Sequence, residues 1–240
     1  MRLQDFRVLT FDCYGTLIDW ETGIHDALQP LLRKGGLKLP REEVLEAFAR
    51  HESTQQAETP GLLYSDLLSE VSRSLAEEWG IEAGDALHDA FGASVPSWPA
   101  FPDSAAALGY LKEHYTLVVL SNVDHASFAG SRARLGVEFD AVFTAQDIGS
   151  YKPSLRNFEY LLEQLERMGY RPSELLHTAQ SLFHDHAPAK RLGLATAWID
   201  RRHDRDGWGA TPPPPSGAGY DFRFPSLGAM AAAHQAEALA

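Results

Sequence analysis

Five short apolar runs, each stopped by a polar residue, constrain this chain more than any other feature. Residues 6–11 stop at Asp12, 115–120 at Ser121-Asn122, 140–145 at Gln146-Asp147, 175–179 at Gln180-Ser181 and 195–199 at Asp200. Several lack the alternation of a half-exposed strand, so they predict strands covered on both faces. Helical spacing lies between them. Leu108 and Leu111 precede the second run, and Leu155, Phe158, Leu161, Leu162, Leu165 and Met168 precede the fourth, with Gly169 where a C-cap is expected. Strand–helix–strand repetition of this kind predicts an α/β fold with a Rossmann-like parallel sheet core. Such sheets place their chemistry at the strand C-termini.

Residues 19–102 break the alternation and read as nearly all helix. Ile24, Ala27, Leu28, Leu31 and Leu32 mark one apolar face, although Pro30 is expected to kink that helix or end it early. Val44, Leu45 and Phe48 mark a second face, and Leu67, Leu68, Val71, Leu75 and Trp79 a third. The expectation is a helical cap domain over residues 19–102, inserted into a catalytic core formed by 1–18 and 103–240. Near the end, Pro212 to Pro215 predict a stiff loop, followed by an Ala-rich helix from Ser226 to the last residue.

Twenty-one Lys and Arg stand against 33 Asp and Glu, a formal net charge of −12. Such a surface repels phosphate backbones and anionic lipid, which argues against nucleic acid or a membrane as the main partner. The single cysteine, Cys13, excludes an intrachain disulfide and fits a reducing compartment. The opening residues lack the apolar stretch of a signal peptide, and no run nears the roughly 18 residues of a membrane span. A cytoplasmic location is expected. The sequence contains no dinucleotide, P-loop, zinc-protease, serine-hydrolase or paired-cysteine motif.

If the sheet is parallel, Asp12, Ser121, Lys152 and Asp185 converge on one edge, with Thr16 four residues after Asp12. A carboxylate nucleophile, a hydroxyl, an ammonium and a second carboxylate form a complete set for covalent catalysis by aspartate. The nucleophile needs no activating base, because a carboxyl with an ordinary pKa of about 3.9 is ionised at neutral pH. Lys152 is the charge that lets two neighbouring carboxylates stay ionised.

These residues resemble the motifs of the haloacid dehalogenase (HAD) superfamily. Phe11-Asp12-Cys13-Tyr14-Gly15-Thr16-Leu17 is similar to its first motif, Leu120-Ser121-Asn122 to its second, and Tyr151-Lys152-Pro153 to its third. His184-Asp185, with Ala189-Lys190 and Gly193-Leu194, is similar to its fourth. The resemblance covers essentially the whole chain and implies a HAD-like fold with a helical cap. It implies that Asp12 is the nucleophile, that Thr16 and Ser121 orient it or the substrate, that Lys152 holds its charge, and that Asp185 positions or activates the hydrolytic water. The position two after the nucleophile, usually an Asp acid in the superfamily's phosphatases, is Tyr14, as in its 2-haloacid dehalogenase branch. A phenol with a pKa near about 10 is a poor substitute for that acid.

That branch attacks C2 of a small 2-substituted carboxylic acid, forms an ester on Asp and hydrolyses it, with no metal or other cofactor. It uses a cap arginine beside the substrate. Arg50 falls about where that residue should be, with a solvated helix-face cation as the other reading. Two positions depart from the branch: Leu182 where it has Asn, and Phe158 where it tends to have Tyr. Residues 12–24, 58–61, 98–103 and 181–186 are instead similar to the branch's azetidine-2-carboxylate hydrolases, which open a strained four-membered ring. For a cationic leaving nitrogen, Tyr14, Asp19 and Trp20 are the expected carboxylate and aromatic neighbours. Trp20 equally suits packing between cap and core, and Asn122 is expected to hydrogen-bond in the substrate site or, equally, to form a turn.

His184 and His186 flank Asp185, but no third and fourth ligand accompany them, so no metal is expected. One of the two histidines is expected to orient Asp185 and the other to pack. Lys190-Arg191 and Arg201-Arg202-His203 read as surface charge. Homodimers are common among enzymes of this branch, which makes a second copy of the chain a candidate partner.

Overall fold

The computed structural model describes residues 1–239, and Ala240, where the expected terminal helix would end, lies outside them. Within the described residues, a six-stranded parallel sheet has the order β3-β2-β1-β4-β5-β6. Its strands are β1 (Val8–Phe11), β2 (Thr116–Ser121), β3 (Ala141–Thr144), β4 (Leu175–Ala179), β5 (Ala195–Ile199) and β6 (Phe222–Phe224). Five match the apolar runs to within two residues at either end. The short β6 was not expected, because Phe222-Arg223-Phe224 carries too little apolar length to announce a strand. It pairs with β5 at the edge of the sheet.

Successive side chains leave the sheet on opposite faces, and both faces are covered. Leu9, Phe11, Leu117 and Val119 join one apolar cluster. Val8, Val118, Leu120 and Leu175 join the other, against Phe158, Leu161 and Leu165 of α8 (Leu155–Arg167). This two-sided burial is why the runs show no polar alternation.

Between β1 and β2 the chain forms α1 (Trp20–Gly35), α2 (Arg41–Glu58), α3 (Tyr64–Glu78), α4 (Asp85–Gly92) and α5 (Ser104–Lys112). α1 continues past Pro30 to Gly35, so the proline does not end it early. Proline removes one hydrogen bond to the carbonyl four residues back, and both Pro30 and Asp26 are exposed, so water can serve that carbonyl. The helical segment leaves and rejoins the sheet at one place. The Asp19 amide donates to Pro99 O at 2.8 Å and the Phe101 amide to Leu17 O at 3.0 Å.

Gly23 lets α1 lie directly on Trp98 at this junction. A Cβ there would fall within 2.6 Å of Trp98 Cδ1 and 2.7 Å of its Cβ. Gly23→Ala is therefore expected to destabilise the protein by about 1–3 kcal/mol through overpacking, read as a lower urea midpoint. An unchanged midpoint would mean that Trp98 moves freely.

The remaining elements are α6 (His125–Leu135), α7 (Ala145–Ile148), a helical turn at Leu182–His186 that runs into α9 (Ala187–Arg191), and α10 (Leu227–Ala238). Ser226 caps α10 by accepting from the Ala229 amide. No helix among the described residues is long and apolar enough to cross a membrane.

Candidate active site

β1 ends in register with β2 and β4, Phe11 lying beside Val119 and Thr178. The next residue, Asp12, therefore emerges at the carboxyl edge between the ends of those strands. The chain then turns sharply at Gly15, whose φ of +90° suits glycine, and a Cβ there would meet Trp20 Nε1 at 2.8 Å. The turn brings Thr16 back, so that its hydroxyl donates to Asp12 Oδ2 at 2.7 Å and accepts the Gln180 amide at 2.9 Å.

Lys152 arrives from the loop after α7 and is 1% exposed. Its ammonium donates to Asp12 Oδ1 at 2.9 Å, Asp185 Oδ1 at 2.6 Å and Leu120 O at 3.0 Å. All three donors are thus engaged. Burial alone would lower the Lys152 pKa, but the two carboxylates outweigh it and keep the ammonium charged. Burial raises the Asp12 carboxyl, with Lys152 pulling the other way. Asp185 is also buried, yet Lys152 and His177 hold it well below the usual carboxylate range. The pair therefore divides into a firmly ionised Asp185 and a more easily protonated Asp12.

Asp12, Lys152 and Asp185 line a small cavity of about 30 Å³. Ser121, Asn122, Tyr14, Trp20 and His184 line it too, so ten of the eleven expected site residues gather at or beside it, Thr16 through its bond to Asp12. The count includes Asp19, which lies one step away. It caps α1 through Thr22 and borders a neighbouring cleft with Trp20.

Arg50 is the residue that does not gather. α2 buries Leu45, Phe48, Glu52 and Gln56, which puts Arg50 on the outer face, where it pairs with Glu78 at 2.8 Å. Arg50 thus lies at the surface, as its other reading expected, and no arginine among the described residues lines the cavity.

Asn122 has a specific task. Its Oδ1 accepts the Lys152 amide at 2.7 Å and its Nδ2 donates to Lys152 O at 3.0 Å, clamping the lysine backbone. The Tyr14 hydroxyl shares a hydrogen bond with Ser131 Oγ at 2.8 Å, and burial lifts the phenol well above its ordinary value. Ser121 Oγ and Asp185 Oδ2 are buried without a protein partner.

The histidine flanking Asp185 was expected to orient it. The residue that does so is His177, in the middle of β4, whose Nε2 donates to Asp185 Oδ1 at 3.0 Å. Thr10, its register partner on β1, bonds His177 Nδ1 at 2.8 Å. His186 turns away to donate to Ala179 O, and His184 Nδ1 meets Ser181 Oγ at 3.2 Å. Burial pushes both His184 and His186 down to about 4, so they stand neutral. Among the described residues no three His, Cys, Asp or Glu side chains form a metal-binding group.

The arginines read as surface charge are also structural. Arg201 donates from Nε and Nη2 to Thr16 O at 3.1 and 2.9 Å and lies 4.0 Å over the Phe101 ring. Arg202 is buried between Glu21 and Glu42. Together they tie the loop that follows Asp12 to the end of β5.

The sequence model of the haloacid dehalogenase-like hydrolase family matches residues 6–178. The chain belongs to that family. Like its other members, it is a hydrolase with an α/β sheet core. It is 25% identical over 208 residues to (S)-2-haloacid dehalogenase 4A of Burkholderia cepacia, covering 83% of this chain and 85% of that protein. It is 26% identical over 207 residues to (S)-2-haloacid dehalogenase 1 of Pseudomonas sp. (strain CBS-3), covering 83% and 86%.

Among solved structures, a defluorinating L-2-haloacid dehalogenase superposes with a TM-score of 0.78 at 20% identity, over 98% of this chain and 99% of that one. The L-2-haloacid dehalogenase of Xanthobacter autotrophicus with chloropropionic acid covalently bound gives 0.74 at 19%, over 95% and 97%. These likenesses establish the shared fold.

Five residues that line the cavity, Glu52, Gln56, Tyr64, Val123 and Ser181, were not among the expected site residues. Glu52 and Tyr64 come from α2 and α3, and the Tyr64 hydroxyl donates to Glu52 Oε1 at 2.7 Å. The signal for Glu52 was its place four residues after Phe48, on the buried face of α2.

Proposed function

We propose that this hydrolase displaces a substituent from C2 of a small carboxylic acid through an ester on Asp12, with (S)-azetidine-2-carboxylate as the substrate and 2-hydroxy-4-aminobutyrate as the product. The observation that carries the reading is Lys152, whose buried ammonium joins Asp12 and Asp185 at the floor of one cavity. Asp12 is a carboxylate ready to attack carbon, and its charge is held by Lys152 and by the Thr16 hydroxyl. Asp185 Oδ2 is buried and free to accept a hydrogen from the water that cleaves the ester. Ser121 Oγ, equally free, is the donor for the substrate carboxylate or for the ester oxygen.

A phosphate ester is the weaker alternative. The position two after the nucleophile holds Tyr14, whose raised phenol is engaged by Ser131 and is a poor acid for an alkoxide leaving group. A second reading, (S)-2-haloacid dehalogenation, is favoured by the two named relatives. Against it stands the outward-facing Arg50, which leaves Lys152 as the one Lys or Arg lining the cavity.

Proton NMR of the chelator-treated protein with both (S)-azetidine-2-carboxylate and (S)-2-chloropropionate separates the readings. The ring-opened hydroxy acid is expected. Lactate alone would make the protein a dehalogenase, and neither product would defeat both substrates.

A further inference from the structure

The steps above leave the buried Glu52 carboxyl in the cavity without a role. Glu52 is 2% exposed; its Oε1 is bonded to Tyr64, while Oε2 is buried, has no partner and belongs to a side chain lining the same cavity as Asp12. A carboxylate buried without a cation is destabilising unless a proton neutralises it.

The surrounding charges offer no partner. Tyr64 faces Glu52 from α3, and Asp12 and Tyr14 face the cavity from the first loop. Lys152 does so from the loop after α7 and His184 and Asp185 from the turn after β4, while Tyr151 lies close enough to feel the Glu52 charge. Lys152 has no donor left, and on α2 only Gln56 shares the lining. Burial, aided by the charge on Asp12 and opposed by the Tyr64 bond, lifts Glu52 to about 7.

Such a group is ill suited to a halide, which departs as an anion and needs no proton. It suits a leaving group that departs as a base. We propose that Glu52 is the acid that protonates the leaving nitrogen, and that it thereby selects substrates whose leaving group is an amine. This rests on the Asp12 ester reading.

In the first step an Asp12 oxygen bonds to C2 and the C2–N bond breaks with its electron pair going to nitrogen. The ring nitrogen entered with two hydrogens and a positive charge, so it leaves as a neutral primary amine. The Glu52 proton moves to it, giving an ammonium beside a carboxylate. An alkylamine of pKa about 10 takes a proton readily from such a carboxyl. Once protonated, the nitrogen can neither close the ring again nor attack the ester. In the second step water adds to the Asp12 carbonyl carbon, the ester bond breaks, and the proton released returns to Glu52.

The test compares wild type, Glu52→Gln and Glu52→Asp on (S)-azetidine-2-carboxylate from about pH 5 to about pH 9. Wild-type kcat/KM is expected to fall above about pH 7, as Glu52 loses its proton. The Gln variant keeps the acceptor for Tyr64 but has no proton to give. It is expected to lose about 100-fold or more and to lose the basic limb with it. The Asp variant, still an acid, should recover part of the rate. Folding of the Gln variant is checked by its urea midpoint at about pH 8, which should equal or exceed that of wild type because the amide buries no charge.

A Gln variant within about threefold of wild type, with the basic limb intact, would make Glu52 a packing residue and leave the Asp12 reading standing. A wild-type protein that does not open the ring would overturn the azetidine substrate and this inference together, whereas lactate from (S)-2-chloropropionate would leave the Asp12 ester standing.

Discussion

Asn at position 12 is expected to lower turnover by about 10⁴-fold or more while leaving the fold in place. The amide is nearly the same shape as the carboxylate, and its oxygen can still accept from Thr16 or Lys152, which lie at 2.7 and 2.9 Å in the native site. Lys152 also keeps Asp185 and Leu120 O, so no buried charge is stranded. What disappears is the one anionic oxygen placed to bond to carbon. A variant that unfolds at the wild-type denaturant concentration yet turns nothing over would separate the chemistry from the scaffold, whereas retention of most of the activity would end the covalent mechanism. The wild-type protein supplies a companion result. In a single turnover in ¹⁸O-water the label should enter the Asp12 carboxylate, because water attacks the side-chain carbonyl and the substrate departs with an original Asp12 oxygen. Label found in the product alone would mean that water attacks C2 directly.

The floor of this site was legible in the sequence because it depends on local pattern. Apolar runs announce strands, a parallel sheet aligns their carboxyl ends, and the residue that stops a run is carried to that edge. Asp12 and Ser121 follow from that alone, and Lys152 and Asp185 from the loops just beyond. What could not be read depends on register and on how the helices approach the sheet. His177 looked like one more interior strand residue, and only the pairing of β1 with β4 sets it beside Thr10 and within reach of Asp185. Glu52 and Gln56 lie on the buried face of α2 but interrupt its apolar pattern, so periodicity discounted the two polar residues that enter the cavity. Arg50 was placed by likeness to a branch of the family, and the 3.6-residue period of its own helix turned it outward. Arg201 and Arg202 looked like solvated charge, yet Thr16 O, Asp103 and Glu21, distant in sequence, receive them.

Replacing Lys152 by Met is expected to abolish activity and to change how stability depends on pH. Methionine fills much of the same volume but offers no donor, so Asp12 and Asp185 would face each other in a buried site with no cation between them. Removing one partner of such a buried ionic group destabilises by about 3–5 kcal/mol, unless the pair takes up a proton. Asp12 is the carboxyl that would take it, since burial already raises its pKa while His177 still supports the ionised form of Asp185. A protonated Asp12 is not a nucleophile, so activity at neutral pH should fall by about 10³-fold or more. Any residual rate should climb with pH as Asp12 ionises.

The stability signs run in opposite directions. In wild type the depressed Asp185 stabilises the fold above its unfolded value of about pH 4 and loses that contribution as the pH falls. In the Met variant the folded state holds a proton on Asp12 that the unfolded chain releases above about pH 4, so its deficit against wild type should widen as the pH rises. Urea midpoints of both proteins at about pH 5 and about pH 8 read this directly. A deficit of equal size at the two values would show that Lys152 contributes packing alone, with no electrostatic hold on the two carboxylates.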